Sequence, residues 1–170
     1  MINTPNIVAV IVFAQFMALW SMGQPLRPPH IKLWGGTKES SQHIFDWYSP
    51  SHFIHGLIFY GLTGSVVWAA LIEAAWEVIE NSPCVIARYR KTASVTYTGD
   101  TVLNSMCDTG CMLLGFWYAS IASWDISLAV AVMWEIYTAL AIRDNLTLNV
   151  IMLLHPFERI KAWQQKGPVQ

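Results

Sequence analysis

Charge is what this sequence of 170 residues has least of. Charged residues make up 12%, about half the ~25% of a soluble domain. Ten Lys and Arg stand against eleven Asp and Glu, so the chain offers no basic surface for a nucleic acid. Cysteine is scarce as well: Cys84, Cys107 and Cys111. Cys107 and Cys111 are four apart in a predicted helix, where the geometry disfavours a disulfide, and no C-x-x-C zinc spacing exists. The three read as small apolar filler. There is no G-x-S-x-G elbow, no internal repeat and no low-complexity tract. Hydrophobic residues reach 54% and mean hydropathy is +0.38. That balance excludes disorder and argues against an ordinary soluble enzyme, whose surface these residues could not cover with polar groups. The length suits one domain, residues 1–170.

What is present is a series of apolar runs. Thr4 to Gly23 is long enough to cross a bilayer core of about 30 Å, with Gln15 as its one strongly polar interruption. It has no basic n-region and no small-residue cleavage site, so it reads as a retained helix. Gln24 to Ser49 is a polar loop broken by Pro25, Pro28, Pro29 and Gly35-Gly36; Trp34, Trp47 and Tyr48 place it on a headgroup layer. Pro50 to Leu62 and Val66 to Asn81 are about 20 and 24 Å as helices. A shallow hairpin turning at Thr63-Gly64-Ser65 is preferred over one long helix kinked near Gly64. Ser82 to Gly99 reads as a second polar loop. Asp100 to Ala122 and Ile126 to Ile142 are further helices. Leu146 to Leu154 is a short apolar run, and Pro156 opens a last, interfacial helix with Phe157, Ile160 and Trp163 on one face. The expected fold is all-α: a polytopic bundle of about five transmembrane helices with a short C-terminal re-entrant or interfacial segment.

The scarce polar groups are patterned. Glu73, Glu77 and Glu80 recur at i, i+4, i+7 and share one helix face. Asp100, Asn104 and Asp108 repeat the pattern at i, i+4, i+8. His52 and His55 are i, i+3, and Glu135 lies midway along the fifth helix. A charged Asp at a bilayer centre costs roughly 2.5–3.5 kcal/mol, so these groups need partners, protons or a wet cavity. Two stripes that face each other supply such a setting at the mouth of a bundle. Facing carboxylates with a nearby His resemble carboxylate–metal sites in helix bundles, with Glu77, Asp100 and Asp108 as candidate ligands of a divalent cation. His55 is the candidate acid–base. Arg88 and Arg90, with Arg143 and Asp144 beside them, are candidate substrate-binding residues that could grip a phosphate. Each has a structural alternative. Asp100 suits a helix N-cap. Glu73 and Glu135 could be lone hydrogen bonders, His52 an interface residue at a helix start, and Arg88 and Arg90 headgroup contacts.

The segments SSQHIFDWYSPSHFIHG, IEAAWEVIENSPCVIARYR, YTGDTVLNSMCDTGCMLLGF and IRDNLTLNVIMLLHPFERIKAWQ resemble an uncharacterised family of alphaproteobacterial inner-membrane proteins, uncharacterised protein family 0314. The resemblance covers roughly residues 30 to 164. It implies a multi-pass protein of the cell inner membrane and carries no activity. More distantly, His55, Glu73 or Glu77, Arg88 or Arg90, Asp100 and Asn104 are similar to a pattern in VanZ-like membrane proteins, which implies envelope or lipid-linked substrates by analogy. The leading expectation is a site acting on a phosphate-bearing envelope lipid or lipid-linked precursor, by metal-assisted or acid–base hydrolysis or transfer. Its partners would be membrane lipids and no nucleic acid. A proton or cation conduit through Glu73, Asp108 and Glu135 is the first alternative. A structural or assembly partner in the membrane is the second. With a hairpin, all ten Lys and Arg fall on one side, which places those loops in the cytoplasm; the family's usual charges point the other way, and the orientation stays open.

Overall fold

The computed structural model describes residues 3–92 and 96–166. Among them are eight helices and no strand. Helix α1 is Thr4–Ser21, α2 Ser49–Thr63, α3 Val66–Glu80, α4 Pro83–Arg90, α5 Val102–Ile121, α6 Trp124–Ile142, α7 Leu146–Leu154 and α8 Glu158–Gln164. The all-α expectation holds. Two helices, α1 and α6, are long and apolar enough to cross a membrane, where about five were expected. At 15 residues each, α2 and α3 are about 22 Å long, short of a bilayer core. Helix α5 has the length but carries Asn104, Asp108 and Thr109 buried along it.

The hairpin forms because Gly64 takes the left-handed conformation (φ 59°), and its N–H caps α2 on the Tyr60 carbonyl. A left-handed turn of this kind suits glycine, and α3 runs back antiparallel to α2. The tightest packing is α2 against α5. Gly56 faces the backbone of Met112 to Phe116, and Gly115 faces the Phe53 carbonyl, so closely that a methyl group at either position would overlap that backbone. Helix α1 lies on α3 and α5. Its polar interruption is satisfied: Gln15 Nε2 donates to Ser105 Oγ at 3.0 Å, and Thr109 Oγ1 donates to Gln15 Oε1 at 3.0 Å. Ile11, Ala69, Ala70, Met112 and Phe116 form the apolar core.

The first turn of α5 explains how the long loop is anchored. A helix start leaves four N–H groups without helical partners. Val102 N–H donates to the Pro25 carbonyl at 2.9 Å and Leu103 N–H to the Leu26 carbonyl at 3.0 Å. Thr101 is the N-cap, its Oγ1 accepting from Asn104 N–H at 3.2 Å. The capping role considered for Asp100 therefore falls to its neighbour. Two other sequence expectations need correcting. Residues 83–90 of the second polar loop are helix α4, opened by a Ser82 cap and Pro83 at the first turn. Residues 93–95 of that loop lie outside the described residues. Pro156 precedes α8, whose N-cap is Phe157.

The surface is unusual in what it shows. Val10, Phe13, Met17 and Trp20 of α1 are exposed, as are Val132, Met133, Ile136 and Leu140 of α6. Much of what is buried is polar. The loop before α2, α4, the start of α5 and the chain after α6 meet at one end, joined by Thr101 N–H to the Ser41 carbonyl, Tyr48 to Asp144 and Arg88 to Leu153. All ten Lys and Arg belong to these segments. The turns at Gly64 and Ser123 carry none.

Candidate functional site

The site begins at the first turn of α2. Asp46 accepts from Tyr48 N–H at 2.7 Å and Ser49 N–H at 3.3 Å, which fixes that turn as a side-chain cap does. One turn later His52 and His55 face α3. His52 Nδ1 lies 2.6 Å from Glu73 Oε1, and His55 Nδ1 lies 3.0 Å from Glu73 Oε2. An ionised carboxylate only accepts, so each ring nitrogen donates and both oxygens of Glu73 are used. Glu77 stands one turn along α3, its Oε1 3.3 Å from the same His52 nitrogen. That oxygen is buried and has no hydrogen-bond partner among the described residues. From α5, Asp108 Oδ1 accepts the Ser49 hydroxyl at 2.8 Å. The stripes on α3 and α5 thus do converge, with the α2 histidines between them.

Above this cluster, Asp100 joins the end of α3 to the start of α5. Asn81 Nδ2 donates to its Oδ2 at 2.8 Å, Tyr97 OH donates to the same oxygen at 3.0 Å, and Asp100 N–H donates to Asn81 Oδ1 at 2.6 Å. Burial raises the Asp100 carboxyl above its ordinary range, against the lowering pull of donors from Ser41 and Asn81. Asn104 reaches the His43 carbonyl at 3.0 Å. Ser41 is held left-handed (φ 70°) between Asp46 and Thr101.

These groups line a cavity of about 530 Å³. Its polar side carries His52, His55, Glu80, Asp100, Asn104 and Asp108, with Lys38 on the loop at its edge. Helix α7 lines it with Leu146, Val150 and Leu153 and with one polar residue, Asn149, and α3 adds Trp76. Glu80 and Tyr89 of α4 line it together. Glu73 and Glu77 stand behind His52.

The arginines are elsewhere. Arg88 donates from Nε to the Leu153 carbonyl at 2.9 Å and from NH2 to the Leu154 carbonyl at 3.2 Å, closing the C-terminus of α7. A cation is favoured there. Arg90 Nε donates to the Tyr97 carbonyl at 2.6 Å, and Arg143 lies over the Trp163 ring at 5.5 Å. None of the three lines the cavity, and nor does Asp144. Asp144 accepts from Tyr48 OH at 2.9 Å and Gln164 Nε2 at 2.8 Å. Glu135 gives one oxygen to Leu146 N–H and the other to Thr147 N–H, both at 3.0 Å. It caps α7 and stands outside the cavity.

Two groups have metal-ligand spacing: His52, His55 and Glu73, and His52, Glu77 and Asp108. Of the candidate set Glu77, Asp100 and Asp108, the structure keeps two and puts His52 in place of Asp100, which is tied to Asn81. His52, read from sequence as an interface residue, is the centre of the cluster. Sequence reasoning does not reach Asp46, Asn81, Tyr97 or Lys38. For Asp46 a signal exists, an Asp just ahead of a Pro-containing helix start.

Comparison with known proteins places these residues in a family. Residues 19–166 match the model described as "Protein of unknown function (DUF2585)". A UPF0314 protein of Rhizobium etli is 46% identical over 92% of this chain and 88% of its own length. One from Sphingopyxis alaskensis is 47% identical over 86% of each chain. One from Brucella anthropi is 51% identical over 79% of this chain and 75% of its own. No solved structure matches the chain. The chain belongs to the UPF0314 family of alphaproteobacterial proteins, which carry the DUF2585 domain.

Proposed function

We propose that the chain is a multi-pass protein of the cell inner membrane whose histidine–carboxylate cluster acts on a phosphate-bearing envelope lipid or lipid-linked precursor. The membrane part rests on the inverted surface. Exposed Leu, Ile, Val and Trp on α1 and α6, with Glu73, Glu77 and Asp108 inside, is the arrangement a bilayer favours and water does not. Cations confined to one end agree with it. In this reading α1, α5 and α6 cross the bilayer and the α2–α3 hairpin enters from the cationic end.

The observation that carries the substrate class is the two-sided cavity. An acyl or prenyl chain fits the wall of Leu146, Val150 and Leu153, and a polar head fits the floor of His52, Glu80, Asp100 and Asp108. His55, oriented by Glu73, is the acid–base group, and His52 is the centre of the cluster beside it. Lys38 at the edge takes the phosphate-binding role first sought in Arg88 and Arg90. The similarity to the VanZ-like pattern points to the same compartment.

The test is a comparative lipidome of a deletion strain complemented with the wild-type gene or with His52→Ala. Accumulation of one phosphorylated lipid in the deletion and in His52→Ala, reversed by wild type, is the expected result. Identical lipidomes with normal membrane levels of both proteins would overturn the reading.

A further inference from the structure

We propose that His52, Glu77 and Asp108 bind one divalent first-row transition ion. One ligand atom from each lies within 4.8 Å of the other two. All three residues are buried, and they come from three different helices, so the grouping is made by the packing of α2, α3 and α5. A cluster of acids alone would not suffice. The independent observation is Glu77 Oε1, buried without a hydrogen-bond partner among the described residues. A buried carboxylate oxygen left bare is costly, and a cation answers that cost.

Charge leads to the same place. Glu73 is used by the two imidazoles. That leaves Glu77 and Asp108, two acidic groups on either side of His52, with the Ser49 hydroxyl bonded to Asp108 alone. Arg88 and Arg90 are turned to backbone carbonyls. A divalent ion balances the two carboxylates. Glu73 then has a recognisable role: a carboxylate that holds the imidazole of a ligand histidine is the usual outer partner of such a ligand.

The donor set selects the ion. One imidazole and two carboxylates are too few oxygens for calcium, which takes six to eight, and the nitrogen favours a first-row metal such as Mn²⁺ or Zn²⁺. Three protein ligands leave open positions, and His52 and Asp108 line the cavity. There the ion would meet the phosphate oxygen of the substrate and remove the conflict between an anionic head and an acidic floor. That role rests on the lipid reading above; the binding of the ion does not.

The full chain, purified in detergent and stripped with a chelator, is titrated with Mn²⁺ and followed by electron paramagnetic resonance, with Zn²⁺ as competitor. We expect one equivalent bound, weakened at least about 100-fold in Glu77→Gln and in Asp108→Asn, the upper end of what loss of an outer partner alone causes. Glu135→Gln keeps full affinity. Less than a tenth of an equivalent in wild type, or undiminished binding in both site variants, overturns the proposal. Should the variants unfold, the wild-type spectrum still decides: nitrogen coupling from one imidazole supports the site, and its absence refutes it. Bound metal with an unchanged lipidome keeps the site and removes the lipid reading. A changed lipidome with no metal bound does the reverse.

Discussion

At the start of α7, Glu135 spends both carboxylate oxygens on backbone amides. Nearby, Asp144 accepts from Tyr48, Gln164 and the Asn145 N–H. In the hairpin region, Glu77 is more deeply buried than either, at 1% exposure, yet keeps one oxygen with no hydrogen bond among the described residues. The two regions hold similar residue types. They differ in spare capacity. A saturated carboxylate fixes a helix end and has nothing left to offer a ligand. An unsaturated one is held in place by its neighbours at a cost, and binding or proton transfer is what that cost sustains. Glu135 and Asp144 lie outside the cavity, and the cluster around Glu77 opens into it through His52 and Asp108.

The largest effect that tests this contrast is on activity. His55→Ala should lower turnover of the accumulated lipid by roughly 10²–10⁴-fold, the range for loss of a positioned acid–base group, and Asp108→Asn and His52→Ala should match it by breaking the cluster that holds the site together. Glu135→Gln should stay within about threefold, because its amide oxygen still caps α7. Lipid turnover at matched membrane levels is the measurement. A Glu135→Gln loss as large as that of Asp108→Asn would erase the distinction.

A second comparison lies along α5 itself. A methyl group on Gly115 would meet the Phe53 carbonyl, while one on Gly110 would find no heavy atom within 4 Å. Gly115→Ala should destabilise the protein by about 1–3 kcal/mol through overpacking. It should also move α2 off α5, carrying His52 away from Asp108. Gly110→Ala should stabilise by about 0.5–1 kcal/mol, the ordinary gain of replacing a helical glycine. Unfolding midpoints in detergent read both, and equal shifts would mean that the α2–α5 approach does not hold the cluster together. Smaller than the Gly115→Ala effect is Glu135→Ala, expected to cost roughly 0.5–2 kcal/mol as a lost helix cap while substrate turnover continues. Loss of turnover without loss of stability would return Glu135 to the site.

These contrasts also mark how far the sequence could be read. The α3 and α5 stripes were visible because helical period alone puts Glu73 with Glu77 and Asn104 with Asp108 on one face. The hairpin at Gly64 was visible because the runs on either side are short. What each polar group bonds to was not visible. Arg88 pairs with carbonyls 65 residues away, and nothing in an arginine's neighbours along the chain separates a phosphate ligand from a helix C-cap. Asp100 lost the N-cap to Thr101 by one residue, a difference set by how the loop carbonyls meet α5. His52 and His55 are alike by spacing, and only the packing of α2 against α5 shows which of them reaches Asp108. Local periodicity fixes faces, whereas saturation depends on tertiary partners.

Saturation does not by itself decide ionisation, and Asp144 is where the two separate. Burial raises its carboxyl from the ordinary 3.8 to about 6, against the lowering effect of the Tyr48, Asn145 and Gln164 donors. Between those two values the folded protein keeps a proton that the unfolded chain has released. The stability this group contributes is therefore full below about pH 4 and falls as pH rises toward 6. Asp144→Asn has no proton to lose. The difference in unfolding midpoint between wild type and Asp144→Asn should move in favour of the variant from pH 4 to 6, and then stay constant above about 7. A difference that is flat from pH 4 to 7 would mean that the donors hold Asp144 ionised throughout. In that case the C-terminal carboxylates would be saturated and charged alike, and the bare oxygen of Glu77 would stand out against them more sharply.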